Sequence, residues 1–261
     1  METPEQIRFT NAIYMQQNFI DVADTKVPVF RVFPVVRLLQ AFITRKLDFL
    51  PPEKWEDPFE NVVLRHRVFE GLRTRIYGQC WTLNDAESDA LWRIYSPDKQ
   101  GVRVRSTVAK VFDSIADTTK EWALLEYWAG RVRYLSEAEI KRRLEDPALL
   151  QLHVLEQGAR GLVETLLIKR LEFQHENELR FLYLGHEEYF DLLSAKASFG
   201  IDPAKVFESL LFDPRMEDDL FETYRQVFRK LGFTGAIERS LLYRVPDLNL
   251  TLPYLRRPDN P

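Results

Sequence analysis

The densest run of chemistry-bearing residues in the chain is Lys169-Arg170-Leu171-Glu172-Phe173-Gln174-His175-Glu176-Asn177-Glu178-Leu179-Arg180, which opens into the apolar stretch Phe181-Leu182-Tyr183-Leu184. If residues 176–180 are extended, Glu176, Glu178 and Arg180 share one face, and Leu179, Phe181 and Tyr183 share the other. Leu182 and Leu184 continue the charged face in apolar material, so the acidic end sits at the rim of a core. A carboxylate there is partly desolvated and held by a cation, the setting in which carboxyl groups do acid–base or electrostatic work. The plainer reading is a salt bridge at a strand edge between Glu178 and Arg180 or Lys169.

Two further segments carry candidates. In Trp81-Thr82-Leu83-Asn84-Asp85-Ala86-Glu87, Thr82 ends a strand where a helix begins, with free amides nearby for an anion. Asn84 is read as the cap of a helix running to about Tyr95, with Glu87 at its third position. Trp92 and Tyr95 lie three apart on one face of it, as core residues or as the wall of a binding site. Arg31 lies between Phe30 and Val32-Phe33. An arginine inside an apolar strand is either turned to solvent or partnered at an edge.

Common alternatives are missing. No G-x-G or G-x-x-x-x-G-K loop cradles a phosphate, and no G-x-S-x-G elbow presents a nucleophile. His66, His153, His175 and His186 never fall three to five apart, so paired helical zinc ligands are absent. The single Cys80 excludes a disulfide framework and reads as a small buried hydrophobe. The 261 residues are 45% hydrophobic and 29% charged, enough for a core without staples, and imply one to two domains. A net charge of −4 argues against general nucleic-acid electrostatics. With no membrane-length apolar run and no signal-peptide pattern, a cytoplasmic protein without a membrane partner is expected.

These residues need elements to hold them. Thr3, Pro4 and Gln6 open a capping box, and residues 3–22 read as a leading helix. Strands are expected over 27–33, 74–82, 101–106, 177–184, 206–212 and 236–245, with a strand or hairpin over 122–135. Helices are expected over 35–45, 84–95, 106–117, 136–146 (a Ser136/Glu139 capping box), 147–169 and 216–230, the last stopped at Gly232. The proline-rich loop 51–60 has no regular structure; it is expected to wall the cleft, with Asp57 capping a neighbouring amide. Irregular interleaving of the two element types favours α+β, a single mixed domain with an antiparallel-rich sheet flanked by helices. Its expected limits are an N-terminal helix over 1–26, the domain over 27–250 and a tail over 251–261.

The order of VFRVF, LDFLPPEKWEDPFE, CWT, ALWRIY, GVRV, LIKRLEFQHENELRF, LFDPRM and IERSLLY resembles the domain-of-unknown-function family 2971 of bacteria and their phages. Trp55-Glu56 stands where that family usually has Phe-Asn, and Thr82 where it usually has serine. Within this order, an early-strand arginine, a Ser/Thr closing a middle strand and a late Glu-x-Glu are similar to the R–S–E pattern of ADP-ribosyltransferases. The resemblance implies NAD+ as substrate without a metal, and an acceptor that is protein or nucleic acid. It places Arg31 on the ribose and phosphate side, Thr82 beside the nicotinamide ribose and Glu178 as catalytic glutamate. Glu176 would then orient the acceptor, and Asp57, Trp92 and Tyr95 would line the nucleotide. The activity implied is ADP-ribose transfer or NAD+ hydrolysis, as in a toxin or phage-defence effector. Two other readings stay open. One is a Mg2+-dependent nuclease using Asp57, Glu60, Lys169, Glu176 and Glu178; the other is a non-catalytic protein-binding module.

Overall fold

Residues 101–107 alternate fully buried valines with partly exposed arginines, the period-2 pattern of a strand with one wetter face. This strand lies inside the main sheet of the protein. The structure, a computed structural model, describes residues 3, 6, 15–55, 57–65, 67–119, 123–147, 159–185 and 196–247. Across the eight-stranded sheet the order is β1 (Phe19–Ile20), β6 (Tyr127–Arg131), β9 (Glu178–Leu184), β4 (Ile76–Thr82), β2 (Pro28–Pro34), β5 (Gly101–Thr107), β11 (Ser209–Phe212) and β12 (Ala236–Arg239). The outer pairs β1–β6 and β11–β12 are parallel and every other neighbouring pair is antiparallel. Two small sheets accompany it: β3 (Lys46–Phe49) with β10 (Ala197–Gly200), and β7 (Arg133–Leu135) with β8 (Ile168–Arg170). The fold is thus α+β with an antiparallel-rich sheet flanked by helices.

Each face of the sheet buries its own core. On one, helices Val35–Thr44, Val108–Ile115 and Asp218–Lys230 press Leu38, Phe42, Val111, Phe112 and Phe228 onto Val29, Phe33, Val102, Val104 and Phe212. On the other, Trp128, Ile76 and Leu182 meet Val63, Leu64, Leu162 and Leu166. Burying each such large side chain contributes roughly 1.5–3 kcal/mol, so the two cores hold the sheet in place.

The sheet splits near its middle. Strands β2 and β4 share one bridged pair, Phe30↔Thr82. Continued in register, Val32 would oppose Cys80, but β4 turns to another partner. Gly78 exchanges both backbone hydrogen bonds with Leu50, at 2.8 and 3.1 Å, and the Gln79 side chain donates to the Asp48 carbonyl at 3.1 Å. Leu50, just past β3, therefore stands where β2 would have been. Glycine is needed at 78, because a Cβ there would lie 2.8 Å from the Trp55 ring and 2.7 Å from Leu182.

Several expected elements differ. The helix bearing Trp92 and Tyr95 spans Asp89–Tyr95, with Ser88 at its N-cap rather than Asn84. Asn84 instead donates to the His175 carbonyl and accepts from Asn177. Residues 171–176 form a 3-10 helix, so Glu176 is not extended with Glu178. Of the helix expected over 147–169, residues 148–158 lie outside the described residues, Ala159–Thr165 is helical, and Ile168–Arg170 is a strand because it pairs with β7. Residues 127–131 and 133–135 join different sheets and form no hairpin. Of the leading helix, the Thr3/Gln6 capping contacts are present, yet Met15–Asn18 is a 3-10 turn and Phe19–Ile20 a strand. The loop at 51–60 contains short 3-10 turns, Pro52–Lys54 and Pro58–Asn61. The tail over 251–261 lies outside the described residues.

Candidate active site

The opening between β2 and β4 is the candidate site. Its narrower part is lined by Phe30, Arg31, Cys80, Thr82, Trp92, Tyr95, Arg103, Glu176 and Glu178, among others. Arg31, Thr82 and both glutamates, from three separate segments, therefore face one cavity. The mechanism of assembly is strand register. Thr82 pairs with Phe30 on one side and with Glu178 on the other, so the three side chains stand on one face.

Arg31 is neither turned to solvent nor at a sheet edge. Its parity matches Val29 and Phe33 on the helix-covered face, but the split gives its guanidinium room between the strands. There Nη1 donates to the Cys80 carbonyl, which has lost its ladder partner. Leaving that carbonyl bare would cost about 1–3 kcal/mol. The buried Nε has no partner, and no carboxylate pairs with this guanidinium among the described residues. Burial lowers its pKa, opposed by Cys80, Tyr95 and Glu178. Arg103 stacks on the Phe30 ring at 3.8 Å and donates to the Asn84 and Asp85 carbonyls, pinning the loop above the cavity.

Glu178 is an interior residue of the sheet, flanked by β4 and β6, so its ion pairs are buried rather than marginal. Oε1 accepts from Lys169 at 2.9 Å, and Oε2 accepts from Arg180 Nη2 at 2.7 Å and Nε at 2.8 Å. Its amide donates to the Tyr134 hydroxyl at 2.8 Å. Burial pushes this carboxyl up, but Arg180, the Glu176 hydrogen bond and Lys169 outweigh it and hold the group ionised. Glu176 shifts the other way, to about 7, through burial, its hydrogen bond to Glu178 and that neighbour's charge, with Lys169 opposing. Asn177 between them adopts a left-handed φ of 44°, a conformation asparagine tolerates. That turn folds Glu176 back so that both carboxylates meet one ammonium.

The remaining candidates hold the frame. The Thr82 hydroxyl donates to the Glu176 carbonyl at 2.6 Å and accepts from the Asn84 amide at 3.1 Å. It thus braces the Glu-x-Glu turn, and the Leu83 amide is spent on the Asn177 carbonyl. With the helix starting later, no helix N-terminus waits beside Thr82 for an anion. Trp92 is buried and donates to Glu87 at 3.1 Å, while the Tyr95 hydroxyl reaches Glu176. Asp57 faces a second, wider opening of 590 Å3, which shares Arg31, Cys80, Tyr95 and both glutamates with the first. It accepts from the Phe59 amide at 3.1 Å and from Arg170 at 3.1 and 3.2 Å, so it caps the turn and is paired with Arg170. Burial and the nearby Glu178 charge push the Cys80 thiol up to about 12, which suits its reading as a hydrophobe.

On sequence grounds Glu60 belongs only to the nuclease reading, Lys169 to that reading or to a salt bridge with Glu178, and Arg180 is a salt-bridge partner. In the structure Lys169 contacts Glu60 at 3.0 Å as well as both glutamates, and Arg180, fully buried, contacts Glu60 at 2.8 Å. Trp55 covers Arg180, ring to guanidinium, at 4.4 Å. The signal was DPFE and ELR within the motif order. These three carboxylates face an ammonium and a guanidinium, and among the described residues no acidic or histidine group is arranged to hold a metal. The late motifs hold the Trp92 helix: Arg215 pairs with Asp213 and donates to the Trp92 and Ser96 carbonyls, and Ser240 donates to Glu87.

No family model matches the chain, so the likeness to family 2971 stands on motif order. No curated protein matches it in sequence. Among solved structures the chain is similar to the Thermus sp. 2.9 DarT in complex with NAD+, with TM-score 0.38 and 11% identity over 83% of this chain and 96% of that one. It is also similar to that protein in complex with ADP-ribosylated ssDNA, with TM-score 0.39 and 10% identity over 83% and 95%. The superposition is loose at these scores. Among the described residues no helix is long and apolar enough to cross a membrane.

Proposed function

We propose that this protein is an NAD+-consuming enzyme of the ADP-ribosyltransferase kind. The observation that carries the reading is the pairing, in one cavity, of an arginine without a carboxylate partner and a glutamate held ionised by two cations. The arginine offers unspent donors to the negative pyrophosphate of a dinucleotide. The glutamate offers fixed negative charge to the ribose. Oε2 accepts twice from Arg180, whereas Oε1 accepts once from Lys169, so a ribose hydroxyl would donate to Oε1. Breaking the nicotinamide–ribose bond develops positive charge on the sugar, and a preorganised carboxylate stabilises that state more than the ground state. Nicotinamide leaves as a neutral molecule, taking the bond's electron pair. Trp92 and Phe30 supply apolar walls, and Thr82 keeps the two glutamates in place.

Nicotinamide release from NAD+ in the presence of EDTA tests the activity. Glu178→Gln should keep NAD+ binding and lower turnover by about 10²–10³, the usual cost of a lost electrostatic contact in the transition state. Equal turnover in wild type and Glu178→Gln, with NAD+ bound to both, overturns the assignment. The effector role is checked in a bacterial host, where induction should arrest growth and Glu178→Gln should abolish the arrest.

A further inference from the structure

The charges buried beneath the cleft do not balance. Two cations, Lys169 and Arg180, meet three carboxylates, Glu60, Glu176 and Glu178. Glu60 and Glu178 each contact both cations, whereas Glu176 contacts Lys169 alone. With every carboxyl ionised the group carries one net negative charge in a desolvated place, and like-charged neighbours cannot all stay ionised cheaply there. The surplus falls on the member with least compensation.

We infer that Lys169 and Glu60 are positioning residues that decide which carboxyl carries the exchangeable proton, assigning it to Glu176 and leaving Glu178 permanently ionised. This division of labour rests on the transferase reading. When ionised, Glu176 takes the proton of the acceptor's hydroxyl or amine as that atom bonds to the ribose carbon. The ribose–nicotinamide bond breaks in the same exchange, and Glu176 then releases the proton to solvent. Groups acting on Glu176 from the packed elements fit this role: Lys169 from β8, Glu178 from β9, Tyr95 from its helix and Tyr134 from β7. Glu60, from the Pro58–Asn61 turn, shares Lys169 with it, and Arg180, from β9, shares Glu178 with it. Arg31 and Cys80 line the same cavity from β2 and β4. Among the described residues Lys169 is the one cation in direct contact with the carboxyl.

The two residues act in opposite directions, which makes the assignment testable without turnover. In the full chain labelled with 13C at the glutamate carboxyls, one carboxyl should titrate near neutral pH, and Glu176→Gln should remove it. Glu60→Gln deletes a negative charge while keeping shape, so the midpoint should fall by roughly one pH unit or more. Lys169→Met should raise it, and Lys169→Arg should restore it toward the wild-type value. A purely structural cluster would change melting temperature without these opposed shifts. An unmoved midpoint in Glu60→Gln, or no carboxyl titrating between about pH 6 and 8 in wild type, overturns the inference, and Glu60→Gln decides it if Lys169→Met does not fold. Failure to release nicotinamide with the opposed shifts intact overturns the transferase reading and leaves the proton assignment supported.

Discussion

Arg31 shows how one side chain is put to two uses. Its Nη1 replaces a lost ladder hydrogen bond at Cys80, while the residue lines the cavity and its Nε has no partner. Lysine carries the same charge as a single point on a flexible stem, so it can serve the carbonyl or a ligand but not both in fixed geometry. Arg31→Lys is therefore expected to melt within a few degrees of wild type and to bind NAD+ about 10-fold more weakly, a loss of about 1.4 kcal/mol. Calorimetric titration of both proteins checks this, and unchanged affinity would remove Arg31 from the binding surface. The neighbouring Glu178 illustrates the converse case, in which burial alone would neutralise a carboxyl and two cations prevent it.

Among the elements, β4 determines most of the cleft, because it changes partners along its length. Gly78 permits the change by letting Leu50, Trp55 and Leu182 close around bare backbone. Gly78→Ala should overpack this point, cost about 1–3 kcal/mol in urea unfolding and push the Trp55 ring off Arg180; an unaltered midpoint would show that Trp55 moves freely. Much of this was legible in the residues. The Ser136/Glu139 capping box, the valine–arginine alternation of β5 and the Gly232 stop, with φ of 89°, are local signals, and the structure has all three. The Glu-x-Glu segment and Arg31 were legible as candidates for the same reason, as charges inside apolar runs. What could not be read were the features made by long-range pairing. The Asn84 cap failed because Asn84 bonds across to His175 and Asn177, and Glu176 left the strand because Asn177 turns the chain. Glu60 lies far before Glu176 in the chain, and only the folded sheet brings both to Lys169.

For the molecule as a whole, the charge cluster ties folding to pH. The Glu176 carboxyl binds its proton more tightly folded than unfolded, so its contribution is fully present below about pH 4.5 and is lost as pH rises through about 7. Glu178 has the opposite sign; its contribution is present above about 4.5 and is lost as pH falls far into the acid range. Urea unfolding at pH 5, 6, 7 and 8 should show wild type losing stability relative to Glu176→Gln across that range, and parallel curves would mean that Glu176 does not titrate there. The split in the sheet has its own consequence at this scale. Between β2 and β4 the two halves of the sheet are stitched by the single bridge Phe30↔Thr82. A fold usually keeps its slowest-exchanging amides at the sheet centre, but here the centre is a seam. Hydrogen exchange should find the backbone flanking the gap, around Val32 and Cys80, opening more readily than β9 or β5 on either side, and a dinucleotide spanning Arg31 to Glu178 should act as the second stitch that slows it.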